Sequence, residues 1–271
     1  MKSFLKWAGN KHRILDKLKI YLPKADRLIE PFLGSATVFL NTNYPIYLLG
    51  DNNLDLIQLY KYLQKEGQLF IDYCRFFFNE NFNTAEEFYR LRRLFNDCKE
   101  HRKRAALLLY LNKHCFNGLA RFNRKGEFNT PFSYYKNPYF PEREMQYFHQ
   151  HARKAEFIHG DFLTTLKNVK QGDVVYCDPP YVGLSKTSNF THYTSEGFSH
   201  IQQMTLAKVA RKIASKGIQV IISNHDTEFT RDIYKGATIV SFVVQRNISS
   251  KGTERKKAKE LLAIFSYKKA H

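Results

Sequence analysis

The chain holds only four cysteines, Cys74, Cys98, Cys115 and Cys177, scattered without C-x-x-C spacing or clustered histidines. That argues against a disulfide framework and against a zinc site; the expectation is reduced, largely buried thiols and no bound metal. No stretch approaches the roughly 20 apolar residues that a membrane-spanning helix needs. The first residues, Met1-Lys2-Ser3-Phe4-Leu5-Lys6-Trp7, carry no apolar core of a signal peptide, so a cytoplasmic protein with no membrane partner is expected. Acidic residues are also scarce, with 25 Asp plus Glu against 43 Lys plus Arg and a net charge of +18. Such a field attracts a polyanion, and nucleic acid leads the partner classes, although ribosomal and membrane-surface proteins share this balance.

What is present describes a globular chain, 43% hydrophobic and 25% charged over 271 residues. That length buries a full core, either as one α/β domain with an insertion or as two smaller domains, and a monomer is expected. The most informative stretch is Asp178-Pro179-Pro180-Tyr181, at the end of the apolar run Val174-Val175-Tyr176-Cys177. β-Branched residues bounded by Gly172-Asp173 and a double proline predict a buried strand that stops abruptly. Pro180 cannot donate to a sheet, and it pushes the preceding residue out of helical geometry. The corner therefore holds a carboxylate, a proline carbonyl and an aromatic ring together, just beyond a strand end where α/β sheets bind ligands.

Those groups suit an exocyclic amino group on a nucleobase, whose lone pair is delocalised into the ring. A carboxylate and a carbonyl that each accept one N–H localise that lone pair, and an aromatic ring holds the base by stacking. A proline-stopped loop with an N-capping Asp would carry the same four residues.

Other elements follow in order. Ile14, Leu15, Leu18 and Leu22 recur at helical spacing, with Asn10 as N-cap and Pro23 as stop. Leu28-Ile29-Glu30 predicts a strand, followed by the small-residue turn Phe32-Leu33-Gly34-Ser35-Ala36 and a helix through Val38, Phe39 and Leu40. Close approach at Ala36 requires a negative φ there. Ile46-Tyr47-Leu48-Leu49 predicts a second strand, and Asp51, roughly 20 positions after the glycine turn, is a ribose-binding candidate or an N-cap. The turn and the acid alone would equally fit a dinucleotide-binding enzyme.

From about Leu54 to Met145 the pattern is helical, with four stripes: Leu56, Leu59, Tyr60 and Leu63; Phe70, Tyr73, Cys74 and Phe77; Phe88, Leu91, Leu94 and Phe95; and Ala105 to Leu111. Arg90, Arg92, Arg93, Arg102, Lys103 and Arg104 in this segment read mainly as solvated helix faces. It ends in a predicted hairpin around Lys125-Gly126, with Arg121, Asn123, Arg124 and Asn129 as groups able to contact bases or phosphates. A helix near Met145 to His151 and a strand, Glu156-Phe157-Ile158, lead back to the sheet. The polar stretch from Val182 to His200, including Asn189, predicts a functional flap. The strand Gln219 to His225 follows a helix, and strands Thr238 to Val244 and Glu260 to Tyr267 enclose a basic loop. Arg246, Ser249 and Lys251 in that loop are phosphate-contact candidates.

Several of these segments resemble Dam-type (class alpha) adenine methyltransferases. Asp178-Pro179-Pro180-Tyr181 matches the Asp-Pro-Pro-Tyr motif; Lys6-Trp7-Ala8-Gly9-Asn10-Lys11 resembles Lys-Trp-Ala-Gly-Gly-Lys with Asn10 for the second glycine; Phe32 to Ala36 resembles Phe-x-Gly-x-Gly with Ala36 for the last. Asn117-Gly118-Leu119-Ala120-Arg121-Phe122-Asn123, with Gly126-Glu127-Phe128-Asn129-Thr130-Pro131-Phe132, resembles the family's recognition hairpin. The likeness runs from about Phe4 to Tyr267.

The resemblance implies a doubly wound, mostly parallel methyltransferase sheet with one antiparallel strand, plus a helical target-recognition insertion ending in a β-hairpin. Residues 1–54 and 146–271 would form the catalytic domain and 55–145 the recognition domain, with the hairpin at about 117–132. It implies S-adenosylmethionine as cofactor, held by Trp7, Lys11, Phe32, Gly34, Asp51, Asp161, Phe162 and Asp178, and double-stranded DNA as substrate, methylated at adenine N6 within GATC. Arg121 would read a guanine, Leu119 and Pro131 would touch bases, and Asn117 would fill the space of the flipped adenine. The rivals are an N4-cytosine or RNA amino-methyltransferase and a non-catalytic DNA-binding protein.

Overall fold

A computed structural model describes residues 1–182, 198–245 and 257–266. Seven strands form one sheet: β1 (Arg27–Glu30), β2 (Ile46–Asp51), β3 (Ala155–His159), β4 (Asp173–Cys177), β5 (Gln219–His225), β6 (Thr238–Gln245) and β7 (Lys257–Phe265). Their spatial order is β3-β2-β1-β4-β5-β7-β6. Pairings from β3 across to β5 are parallel, whereas β7 runs antiparallel to both β5 and β6. This is the expected α/β class, with one antiparallel strand inserted between two that run the other way.

The strands read as near-continuous apolar runs because helices cover both faces of the sheet. In β4, Val174 and Tyr176 enter one core cluster and Val175 and Cys177 the other. The period-two alternation of a strand divides every central strand in this way. Leu28, Tyr47, Leu49 and Ile221 point to the first cluster, while Ile29, Leu48, Val220 and Ile222 point to the second. Arg27 grips Asp173 through Nε and Nη2 at 3.0 and 2.8 Å, pinning the start of β1 to the start of β4.

The helices are α1 (Leu15–Tyr21), α2 (Leu54–Glu66), α3 (Gln68–Arg75), α4 (Ala85–Asp97), α5 (His101–His114), α6 (Glu142–Ala152), α7 (Phe162–Leu166), α8 (His200–Ala214) and α9 (Glu228–Ile233). The predicted apolar stripes fall on α2 to α5, and Leu56, Leu59, Tyr60 and Leu63 are all fully buried. Asn53, Thr84 and Ser199 start α2, α4 and α8 by accepting a backbone N–H. The helix expected after the glycine turn is a single 3-10 turn, Phe39–Asn41. Thr42 Oγ1 bonds back to the Val38 carbonyl, and the extended backbone at Thr42 turns the chain into β2 before a second turn can form.

Arg90 and Arg93 of the insertion are exposed as expected, whereas Arg92, Arg102 and Arg104 are partly buried. Arg104 forms a fork on Asp55 at 2.8 and 2.7 Å and also donates to the Phe95 and Cys98 carbonyls. Arg102 pairs with Glu66, Arg90 with Glu87, and Arg92 donates to the Thr130 carbonyl. These cations brace helices and the hairpin. Buried Cys74, Cys115 and Cys177 carry free thiols, and Cys98 is half-buried. Among the described residues no helix is long and apolar enough to cross a membrane, and no group of three His, Cys, Asp or Glu side chains could hold a metal.

One close approach is decisive for the sheet. A Cβ at Gly50, in β2, would collide with the Thr165 side chain of α7, whose hydroxyl is buried without a partner. Gly50→Ala is predicted to lower stability by about 1–3 kcal/mol in urea unfolding. Adding Thr165→Ala should recover most of that loss; a purely additive double variant would show that the contact is not the cause.

Candidate active site

The chain runs outward from β1 through β2 to β3, then restarts at β4 on the other side of β1. Such a switch point leaves a crevice beyond the carboxyl ends of the two central strands. A cavity of about 1170 Å³ opens there. Glu30 ends β1 on one side of it, and Asp178 follows β4 on the other. The structure brings all the expected catalytic and cofactor residues to this one cavity: Asp178, Pro179, Pro180 and Tyr181, with Trp7, Lys11, Phe32, Gly34, Asp51, Asp161 and Phe162.

The Asp178-Pro179-Pro180-Tyr181 corner is held from behind. The Pro180 carbonyl accepts Gln203 Nε2 at 2.8 Å, the Val182 amide donates to Asn224 Oδ1 at 3.3 Å, and His225 Nδ1 lies 2.6 Å from the Val182 carbonyl. Asn224 Nδ2 in turn bonds Gln203 Oε1 and Tyr234 Oη at 3.1 and 3.0 Å. Gln203 and Asn224 are fully buried, so this satisfied polar network ties the corner rigidly to α8 and β5. Among the described residues nothing donates to the Pro179 carbonyl, which stays available at the cavity.

Asp178 Oδ1 receives two donors, Lys11 Nζ at 2.8 Å and Ser223 Oγ at 2.7 Å. Burial raises the Asp178 carboxyl above its usual range, while Lys11 and Ser223 pull it back toward the ionised form. Lys11 Nζ also donates to the Gly9 carbonyl at 2.8 Å and sits 4.4 Å from the centre of the Tyr181 ring. Lys11, expected beside the cofactor, lines the cavity, and its ammonium also contacts the two side chains of the catalytic corner. The Tyr181 ring meets the His225 ring edge to face at 4.7 Å, and its hydroxyl donates to Glu260 at 3.3 Å.

On the opposite wall, Gly34 has φ +48°, its amide donates to Asp51 Oδ2 at 2.9 Å and its carbonyl accepts Tyr60 Oη at 2.6 Å. A Cβ there would press on the Trp7 indole at 3.3 Å. Glycine is needed for both the left-handed backbone and the space. Ala36, where close approach required a negative φ, has φ +58° while fully buried. Its methyl group accepts a backbone conformation that costs of order 1–3 kcal/mol and that the surrounding turn must impose. Asn10 caps the 3-10 turn Lys11–Arg13 through the His12 amide at 2.8 Å, and Gly9 supplies the positive φ that precedes it.

Asp51 also accepts the Asn53 amide, so this acid supports the glycine turn as well as facing the cavity. Asp161 caps α7 through the amide and hydroxyl of Thr164, which lower its carboxyl. Phe32 and Phe162 stack at 5.6 Å with 19° between planes, and Phe198 meets both edge to face. Glu30 was not anticipated as a site residue. It is 3% exposed, its Oε1 has no partner, and burial together with the charge of Asp178 holds its carboxyl well above the ordinary range. An acid at a strand end immediately before Pro31 was the available signal.

The predicted hairpin is present. Cys115 bridges Phe132 and Phe122 bridges Phe128, with Gly126 at φ +78° in the turn. Arg121 is exposed and its Nε donates to Asn129 Oδ1 at 2.8 Å, which fixes its direction. Asn123 spends its side chain inside the turn, on the Lys125 and Glu127 amides and the Glu127 carboxylate. Asn117, at φ +55°, and Leu119 line a smaller cavity of about 340 Å³ that adjoins the first at Trp7. Arg124 and Pro131 are exposed on the hairpin. Asn189, Arg246, Ser249 and Lys251 lie outside the described residues.

Comparison with known proteins agrees with this geometry. The family profile described as D12 class N6 adenine-specific DNA methyltransferase matches residues 7–248. The chain is 46% identical to the DNA adenine methylase of Serratia marcescens over 265 residues, covering 97% of this chain and 98% of that one. It is 44% identical to the DNA adenine methylase of Escherichia coli K12, covering 97% and 95%. It is also 44% identical to that of Vibrio cholerae O1 (El Tor), covering 98% and 96%. A profile spanning most of the chain, and relatives alike over nearly their whole length, place the protein in the D12-class, N6 adenine-specific DNA methyltransferase family.

Proposed function

We propose that the protein methylates adenine N6 in double-stranded DNA, within GATC, using S-adenosylmethionine as donor. The observation that carries this reading is the pair of acceptors at the corner, Asp178 Oδ2 and the Pro179 carbonyl, each without a donor among the described residues and each beside Tyr181. An exocyclic amine has two N–H bonds to give and a ring to stack, and adenine presents both once flipped out of the duplex. Cytosine would present a smaller ring, and the named relatives are adenine methylases.

The cavity suits a cationic nucleoside donor. The partnerless Glu30 Oε1 can take part in a hydrogen bond, the Gly34 turn is a cradle that any Cβ would fill, and Phe32 and Phe162 wall an apolar slot. Asp51 and Asp161 offer acceptors for ribose and adenine edges. Bound there, S-adenosylmethionine would supply an electrophilic methyl group, which adenine N6 attacks in line with the breaking carbon–sulfur bond, so that S-adenosylhomocysteine leaves. Tyr181 stacks the base, while Asp178 and the Pro179 carbonyl localise the N6 lone pair by accepting its two N–H bonds. Asp178 then accepts the proton that the methylated nitrogen sheds. No side-chain nucleophile is required, and burial pushes the Cys177 thiol upward, away from the reactive thiolate.

Residues 55–145 act as the recognition unit of this reading. Arg121, aimed by Asn129, reads guanine; Leu119 and Pro131 make apolar base contacts; Asn117 occupies the space left by the flipped base. Unstacking costs a few kcal/mol, which these contacts offset. Arg124 and the net charge of +18 contribute phosphate attraction.

Asp178→Ala is predicted to abolish methyl transfer while leaving duplex affinity close to native; measurable turnover in the variant would remove Asp178 from the mechanism. Arg121→Ala should weaken discrimination at one guanine by about 1–3 kcal/mol in a panel of single-base site variants. An unchanged panel would rule out direct readout by Arg121.

A further inference from the structure

Asp178 offers two carboxylate oxygens to its surroundings, and the protein uses only one. Oδ1 takes both Lys11 Nζ and Ser223 Oγ, at 2.8 and 2.7 Å. Among the described residues Oδ2 takes nothing. Ser223 has a single proton, which goes to the carboxylate, so Tyr176 Oη, 3.0 Å away, donates to Ser223 in turn. Tyr176 and Ser223 are buried and lie on adjacent strands, β4 and β5. The result is a relay, from Tyr176 through Ser223 to Asp178 Oδ1, that converges with the Lys11 ammonium on the same atom.

We infer that Lys11 and Ser223 are positioning residues that hold Asp178 through Oδ1 and so dedicate Oδ2 to the amino group of the target base. This rests on the reading of Asp178 as the amine acceptor. A carboxylate at the mouth of a cavity rotates about its last torsion over a broad, two-fold range. Two donors on one oxygen remove that freedom and fix the plane of the group. Lys11 adds a second register, because the same ammonium lies over the Tyr181 ring and bonds the Gly9 carbonyl. The acceptor and the stacking ring are thereby set relative to each other by one side chain of the N-terminal segment.

The arrangement also favours the charged form of the acceptor. Asp178 is surrounded by Glu30 from β1, by Tyr176 and Cys177 of the preceding strand β4, and by Ser223 from β5. Beyond it Tyr181 stands against Glu260 of β7 and His225 of β5. Burial and the neighbouring acids favour the neutral carboxyl; Lys11 is the cation that opposes them. A neutral carboxyl would present a donor where the amine needs an acceptor.

The test is the pH dependence of single-turnover methyl transfer, measured for the native protein and for Lys11→Met, Lys11→Arg, Ser223→Ala and Ser223→Thr, with cofactor and duplex affinities in parallel. Activity should be present above the Asp178 titration and lost as pH falls through it. Removing Lys11 leaves burial unopposed, so in Lys11→Met that acid limb should move up by about 1–3 pH units. Ser223→Ala should move it in the same direction by less. The maximal rate should fall in both variants while duplex affinity stays near native, and Lys11→Arg and Ser223→Thr should regain part of each effect. An acid limb at its native position in both Lys11→Met and Ser223→Ala would overturn the inference. So would faster transfer in Lys11→Met, which would make the ammonium a plug that the base displaces. If native protein yields no N6-methyladenine, the failure lies in the proposed function itself.

Discussion

The contact on which the site depends is the ion pair between Lys11 and Asp178, whose side chains are 9% and 18% exposed. A pair so withdrawn from water contributes little net stability, because desolvation offsets most of the attraction, yet losing one partner leaves a costly uncompensated charge. Its value here is placement. It fastens the N-terminal segment across the carboxyl end of β4, and that segment then forms a wall of the cavity. Trp7 packs against Gly34 on the same wall, so the turn after β1 and the corner after β4 face each other across a fixed gap. Asp51 completes the frame by gripping the Gly34 amide from the end of β2.

The same segment reaches the hairpin. Asn112, fully buried at the end of α5, donates to the Lys6 carbonyl at 2.7 Å and the Gly118 carbonyl at 3.1 Å, and accepts the Lys6 amide at 3.0 Å. One side chain thus clamps the residue before Trp7 to the start of the hairpin. Arg92 and Asn96 of α4 hold the returning strand through the Thr130 and Phe128 backbones. The surface that carries Arg121 and the crevice that carries Asp178 are joined through buried polar contacts, with the hydrophobic core running unbroken from sheet to insertion.

Much of this was legible in the chain because it depends on local chemistry. The double proline marks the end of β4, the apolar stripes mark α2 to α5, and a carboxylate, a proline carbonyl and an aromatic ring in succession state their chemistry by identity. What escaped depends on partners distant in sequence. Glu30 becomes notable only when β4 places Asp178 beside it. The left-handed Ala36 sits in a turn whose Gly34 is held by Asp51 and Tyr60, partners that no composition rule foresees. Arg104 looks solvated by type, yet Asp55 of α2 lies opposite it. The contact of the Lys11 ammonium with Asp178 likewise joins residues far apart in the chain.

The central claim is that this crevice joins a methyl donor to the amino group of adenine. Incubating the protein with duplex DNA and S-adenosylmethionine carrying an isotopically labelled methyl group, then resolving the digested nucleosides by mass, tests it most directly. The account predicts that the label appears in N6-methyldeoxyadenosine alone. Label in N4-methylcytosine, or in no nucleoside, would contradict it.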